Sequence, residues 1–125
     1  MARVKTVNLV YHYGDTFDDY SVIWLDSSEV PINLTGYTAT LRIKDKAGAG
    51  ATQLLQLSST TADGLTIVAA AGRIDFSATA TKMKSGTLVQ NTVYYYDLQV
   101  ATPSSADVKT LIKGQIWIDP EVTDV

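Results

Sequence analysis

The chain has 125 residues, and its ten basic and thirteen acidic side chains give a formal net charge of −3 at pH 7. This length is typical of one domain, and the mild acidity argues against a general binder of nucleic acid or of anionic membrane. The absence of cysteine excludes disulfides, iron–sulfur clusters and thiol catalysis. We therefore expect one domain, residues 1–125, that is held together by its hydrophobic core.

The first predicted element is a strand, Val4 to Val10, in which both faces mix polar and apolar residues. Such mixing is typical of a strand at the edge of a sheet. The segment lacks the apolar stretch of a signal peptide, and no apolar run of the chain approaches the ~20 residues of a membrane-spanning helix. We expect a protein that is made in the cytoplasm and has no membrane partner.

The next part of the chain combines turn signals with two strands. Gly14-Asp15 marks a turn before the short apolar strand Ser21 to Leu25. After Pro31, residues 37–44 alternate without a break between an apolar and a polar side. The apolar side consists of Tyr37, Ala39, Leu41 and Ile43, and the polar side consists of Thr38, Thr40, Arg42 and Lys44. A period of two predicts a strand with one buried and one hydrated face.

Three further strands are predicted between residues 52 and 77. Thr52 to Leu57 carries several leucines and predicts a weaker strand. Leu65 to Val68 and Arg73 to Ser77 predict a hairpin around the small residues Ala69 to Gly72.

The only predicted helix is short and precedes the longest strand. Ala78 to Ser85 would form about two turns, with Thr79 as the N-cap and Gly86 at the end. Thr92 to Val100 then alternates over its whole length, which predicts a strand with one buried face.

The last predicted strands are Val108 to Ile112 and Gln115 to Ile118, separated by a break or bulge at Gly114. The chain therefore contains eight or nine short strands and no helix long enough to connect parallel strands. This pattern predicts an all-β antiparallel sandwich, with a barrel as the alternative. The residues expected to form its core are Trp24, Leu41, Ile43, Ile74, Phe76, Tyr94, Tyr96, Leu98, Ile116 and Ile118, with Trp117 also in the interior.

Residues that could perform chemistry are few. His12 is the only histidine, and between two tyrosines we expect it to be partly buried in an aromatic cluster. Asp15, Asp18 and Asp19 lie close together but lack the spacing of a calcium loop, so a solvated loop is favoured. We therefore expect no catalytic residue, metal or cofactor, and we do not expect an enzyme.

Tyr95 is the aromatic residue with the most open interpretation. Tyr94 and Tyr96 share a face with Leu98 and are expected in the core, so Tyr95 must point the other way. It would then pack in a second contact between sheets, meet a partner subunit, or stack on a sugar.

The order of several short motifs resembles the N-terminal domain of the upper baseplate proteins of tailed phages. The similar features are Gly14-Asp15-Thr16, Leu34-Thr35-Gly36-Tyr37, Tyr94-Tyr95-Tyr96-Asp97-Leu98, Leu111 with Gly114, and Val122-Thr123. The resemblance implies an immunoglobulin-like β-sandwich without catalysis, present in many copies in a symmetric virion and docked to other virion proteins. Such domains usually continue into a receptor-binding or fibre region, whereas this sequence stops at Val125. Capsid decoration and a head–tail adaptor are therefore the next expectations.

The contacts with a partner are expected at the N-terminal strand, the loop after it and Tyr95, because a strand edge can pair with a neighbouring chain. The residues predicted to bind a partner are Arg3, Lys5, Val7, Tyr11, Tyr13, Asp15, Phe17, Tyr20 and Tyr95. A carbohydrate-binding module, which uses exposed aromatic residues on the same architecture, is the alternative from another functional class.

Overall fold

A computed structural model describes residues 5–48, 50–60, 64–104 and 107–120. These residues form nine strands, one short α-helix and one 3₁₀ turn. In chain order, the elements are β1 (Lys5–Thr6), β2 (Leu9–His12), β3 (Ser21–Ile23), β4 (Thr38–Lys44), β5 (Gln53–Ser58), β6 (Gly64–Val68), the 3₁₀ turn (Ala69–Ala71), β7 (Arg73–Ser77), α1 (Ala80–Lys84), β8 (Thr92–Ala101) and β9 (Val108–Asp119).

The nine strands belong to one curled sheet, so the chain is all-β as expected. Their order is β1-β9-β8-β4-β5-β6-β7-β3, and β2 also pairs with β9. Most neighbours are antiparallel, but β1 and β2 run parallel to β9, and β5 runs parallel to β6. The N-terminal strands therefore lie at one end of the sheet, which is the edge position that their mixed faces predicted.

The sheet is weakest between β5 and β6, where the pairing consists of Ser58 opposite Gly64. Gly64 has a φ of +132°, and a Cβ at this position would lie 2.7 Å from the Cβ of Leu57. Glycine is therefore needed for the close approach of the two strands. The junction separates a larger part of the sheet, with β1, β2, β9, β8, β4 and β5, from a smaller part with β6, β7 and β3. The described strands thus form one sheet, where the sequence predicted two.

The core lies on the inner face of the curled sheet and follows the period of two. In β4, Ala39, Leu41 and Ile43 are buried, and Leu41 lies opposite both Leu57 of β5 and Leu98 of β8. The residues expected in the core are buried, except that Trp24 and Trp117 are only partly buried. Those found buried are Leu41, Ile43, Ile74, Phe76, Tyr94, Tyr96, Leu98, Ile116 and Ile118.

The helix and the hairpin form where the sequence predicts them. The Thr79 hydroxyl caps α1 by accepting a hydrogen bond of 3.1 Å from the backbone N–H of Lys82, and Met83 is fully buried. The turn between β6 and β7 ends at Gly72, whose φ of +59° is left-handed. No helix of the described residues has the length and hydropathy that are needed to cross a membrane.

The N-terminal and C-terminal strands differ from the prediction at one shared point. The segment expected as one strand is divided into β1 and β2, whereas the two strands expected around Gly114 form a single β9. Gly114 has a φ of +155°, and a Cβ there would clash with the carbonyl oxygen of Val7. The missing side chain lets the N-terminal segment approach β9, and the break falls in β1–β2 instead.

Candidate functional site

Aromatic side chains connect the two ends of the curled sheet. The Tyr20 hydroxyl, just before β3, accepts a hydrogen bond of 2.9 Å from the backbone N–H of Val10 in β2. It also lies 3.4 Å from the carbonyl oxygen of Val10, to which it can donate. A side chain from one end of the sheet therefore occupies backbone groups at the edge of the other end.

Tyr11 and Phe17, which are predicted to contact a partner, belong to a buried cluster of aromatic side chains. The rings of Tyr11 and Phe17 lie 5.3 Å apart, and the ring of Phe17 lies 5.4 Å from that of Phe76. Tyr11 and Phe17 are each only 1% exposed. Their side chains close the core beneath β2 and β3, so in this structure they are not at the surface where a partner would be contacted.

His12 is expected to be partly buried in an aromatic cluster, and this expectation is wrong. Its side chain is exposed, and its Nδ1 lies 2.8 Å from a carboxylate oxygen of Asp119. Residues alternate along β2, so the burial of Leu9 and Tyr11 places Val10 and His12 on the outer face.

The other predicted partner residues have mixed positions. Asp15 is exposed, whereas Val7, Tyr13, Tyr20 and Tyr95 are partly buried. Arg3 and the side chain of Lys5 lie outside the described part of the protein. The structure thus leaves Asp15 and parts of four other side chains at the surface, spread over both faces of the sheet.

An apolar row crosses the outer face of β2, β9 and β8. In the sheet register Trp117 pairs with Val10 on one side and with Val93 on the other. Val10 is 37% exposed, Val93 is 43% exposed, and Trp117 is partly exposed. Tyr95 follows Val93 on the same face, and we call the four residues the outer row.

The outer row was not found from the sequence, except for Tyr95. Trp117 was assigned to the core because it lies in an apolar strand, although Ile116 and Ile118 on either side of it are the buried residues. Strict alternation would have placed Trp117 outside, and likewise Val93 next to Tyr94. The sequence signal for this surface was therefore a large apolar residue at a strand position that alternation assigns to the outer face.

A groove lies beside the outer row, where the N-terminal strands are interrupted. It has a volume of about 510 Å³ and is bounded by the break between β1 and β2 and by the loop after β4. Lys44, Lys46 and Lys113 line it together with Tyr95 and Asp97. We call it the β8–β9 groove, because these two strands form its floor.

Side chains bond two backbone groups at the break, while the N–H of Val7 still donates to the carbonyl of Lys113 in β9 at 2.8 Å. The Tyr96 hydroxyl donates a hydrogen bond of 2.6 Å to the carbonyl of Val7. The backbone N–H of Gln115 donates to Oδ1 of Asn8 at 3.2 Å. Burial, with a smaller contribution from Tyr20, raises the pKa of the Tyr96 phenol well above its ordinary value. The phenol therefore stays protonated, and remains a hydrogen-bond donor, to a higher pH than an ordinary tyrosine.

Acidic and histidine side chains do not converge on a metal site within the described residues: no three of them lie close enough together to hold an ion. Asp15, Asp18 and Asp19 are all exposed. His12 and Asp119 form an exposed pair on the outer face. The arrangement that the structure does offer is a surface, formed by the outer row and the β8–β9 groove.

No protein family matches the chain, and no curated protein is significantly similar to it in sequence.

Proposed function

We propose that the chain is a non-enzymatic docking module of a tailed-phage virion, of the kind found as the N-terminal domain of upper baseplate proteins. The observation that carries this proposal is the outer row, in which Val10, Trp117 and Val93 expose a continuous apolar strip on the outside of the sheet. The motif resemblance from Gly14 to Gly114 supports the class of partner, another virion protein.

The composition of the outer row supports a role in protein contact. Tryptophan and tyrosine are enriched in the central parts of protein interfaces, where they lose water on binding. Trp117 lies in the middle of the strip, and Tyr95 extends it. The polar pair His12 and Asp119 lies two residues beyond Val10 and Trp117 on the same face, and it would form part of the rim.

Docking by the face of the sheet fits better than addition of a strand to its edge at β2. An added strand needs free backbone N–H and C=O groups. Tyr20 already contacts both groups of Val10. The face carrying Val10, Trp117 and Val93 remains open to a partner within the described residues.

We also propose that the all-β fold is an immunoglobulin-like sandwich. The junction at Ser58 and Gly64 joins the larger and smaller parts of the sheet by a single pair of residues. Residues of both parts, such as Leu41 from β4 and Phe76 from β7, belong to one hydrophobic core. One curled sheet whose two parts share a core and join at a single residue pair supports the proposal of a sandwich.

Within the virion, we propose that the chain is a subunit present in many copies. In a symmetric particle the same contact recurs many times, so a modest interface on each copy is sufficient. Capsid decoration and a head–tail adaptor remain the alternative locations, because each would use the same kind of surface.

The test uses particles assembled without this chain, to which purified protein is added back. Val93→Lys places a charge in the outer row, and we expect it to reduce occupancy on the particle at least tenfold. The matched control is Val108→Lys, which changes another exposed valine, on β9, outside the outer row. Both variants should melt like the unmodified protein, because both side chains are exposed.

Two results would overturn the proposal. One is full occupancy of the Val93→Lys variant together with a normal melting curve. The other is no binding of the unmodified protein to phage heads, tails or baseplates that lack it.

A further inference from the structure

The β8–β9 groove has the dimensions of a small-molecule site. Its volume of about 510 Å³ lies within the range of roughly 300–1,000 Å³ that is usual for ligand pockets. The groove exists because Gly114 admits the break between β1 and β2, which leaves Asn8 and Gln115 on one wall. The loop at Lys46 forms the opposite wall.

The charge of the groove is opposite to that of the protein. Three lysines and one aspartate line it, so it carries a net charge of +2, whereas the chain carries −3. Within the described residues, the ammonium groups of Lys44, Lys46 and Lys113 form no ion pair with a carboxylate. A group of lysines without acidic partners attracts an anion, and a concave site concentrates that attraction.

Asp97 gives the groove a hydrogen-bond acceptor as well as a negative charge. Its Oδ1 is buried and has no hydrogen-bond partner among the described residues. Its cross-strand neighbours are Arg42 and Lys113, but Arg42 donates instead to Gln99 at 3.0 Å. Oδ1 has almost no accessible surface, so a ligand reaches the Asp97 carboxylate only where the residue lines the groove, and a donor on the ligand would bond it there.

Tyr95 supplies an aromatic surface beside these polar groups. Its ring lines the groove, and its hydroxyl lies 3.5 Å from Nε2 of Gln115. The apolar C–H face of a pyranose ring can stack on such a ring, while amides such as Gln115 bond its hydroxyl groups.

We propose that the β8–β9 groove binds an acidic saccharide, such as a chain of hexuronic acid units. The carboxylate contacts the lysines, a hydroxyl donates to Asp97, and the sugar ring packs on Tyr95. A simple anion such as phosphate satisfies the lysines, but its charge is repelled by Asp97 and it has no ring to pack on Tyr95. A neutral sugar satisfies Asp97 and Tyr95 but leaves the lysines unpaired. This inference does not depend on a place in a virion.

The test is calorimetric titration of the full chain with trigalacturonate, and in parallel with maltotriose, inorganic phosphate and a short polyglutamate. We expect trigalacturonate to bind at least tenfold more tightly than the three other compounds. Lys113→Gln should weaken trigalacturonate about tenfold, since one charge-assisted contact is lost. The matched control Lys109→Gln changes another exposed lysine of β9 outside the groove and should leave affinity unchanged.

Asp97→Asn separates the proposal from simple anion attraction. Phosphate should bind more tightly once the repulsion by Asp97 is removed. For trigalacturonate, the loss of the hydrogen bond to a charged acceptor should outweigh the same relief of repulsion, so its binding should weaken. Tyr95→Ala should also weaken trigalacturonate, and a melting curve of each variant verifies that it is folded. Equal binding of phosphate or polyglutamate, equal binding of maltotriose, or no binding of trigalacturonate at millimolar concentration would each overturn the proposal. The titration involves no phage particles, so its failure leaves the docking proposal standing.

Discussion

The hydroxyl of Tyr96 donates a hydrogen bond of 2.6 Å to the carbonyl of Val7, which lies 89 positions earlier in the sequence. The contact joins the centre of β8 to the break between β1 and β2. It replaces a bond of the sheet ladder that the break has removed. One buried phenol thus helps to hold the N-terminal strands in place.

Removal of this hydroxyl should destabilise the fold. Tyr96→Phe leaves the Val7 carbonyl without its donor, and we expect the free energy of unfolding to fall by about 1–3 kcal/mol. Denaturant titration gives this value. The control is Tyr95→Phe, because the Tyr95 hydroxyl makes only a contact of 3.5 Å and its loss should have little effect. Similar losses in the two variants would contradict the assigned role of Tyr96.

The raised pKa of Tyr96 predicts a loss of stability in alkali. In the unfolded chain the phenol ionises near pH 10, whereas in the folded protein it ionises only at a higher pH. The contribution to stability is therefore complete below about pH 10 and is lost as the pH rises towards the folded pKa. Unfolding of the unmodified protein and of Tyr96→Phe should be compared between about pH 9 and pH 11.5. The unmodified protein should lose stability more steeply, and parallel curves would exclude this linkage.

Gly114 should tolerate no side chain. Gly114→Ala adds a Cβ that clashes with the Val7 carbonyl at a φ of +155°, and we expect a loss of about 3 kcal/mol or more. Gly48→Ala is the control, since Gly48 also has a positive φ, of +86°, but no described atom would lie within 4 Å of an added Cβ. That variant should lose only about 1–2 kcal/mol. Equal effects would show that backbone conformation alone matters at Gly114.

Leu41 should be one of the most sensitive positions of the core. It is fully buried between Leu57 and Leu98 of the neighbouring strands, so Leu41→Ala should reduce the free energy of unfolding by ~2–5 kcal/mol. Val108→Ala, at an exposed position, should change it by less than about 0.5 kcal/mol. If Leu41→Ala left the denaturation midpoint almost unchanged, the register assigned to β4 would be wrong.

The sequence predicted the local elements well because alternation and turn residues act over a few positions. β4, the β6–β7 hairpin and α1 with its Thr79 cap all lie where the pattern placed them. The phase of β2 was also present in the sequence, since Leu9 and Tyr11 alternate with Val10 and His12. It was missed because the whole segment was interpreted as an exposed edge.

The remaining features depend on contacts between distant parts of the chain. The parallel pairing of β1 and β2 with β9 is not encoded in either segment alone. The β8–β9 groove likewise combines Asn8, Lys46, Tyr95 and Lys113, which only the completed sheet brings together. Residue type identified Tyr95 as noteworthy, and alternation placed Asp97 on the same face, but only the register showed that the two residues adjoin Lys44 and Lys113.

The parallel pairing at the sheet edge has a consequence for the order of folding. Asn8 and Gln115 meet although 107 positions separate them, so during translation β1 and β2 leave the ribosome long before β9 exists. Until then Leu9 and Tyr11 have no partner strand to cover them. Contacts of such long range slow folding, so the pairing of β1 and β2 with β9 should be a late and slow step of folding.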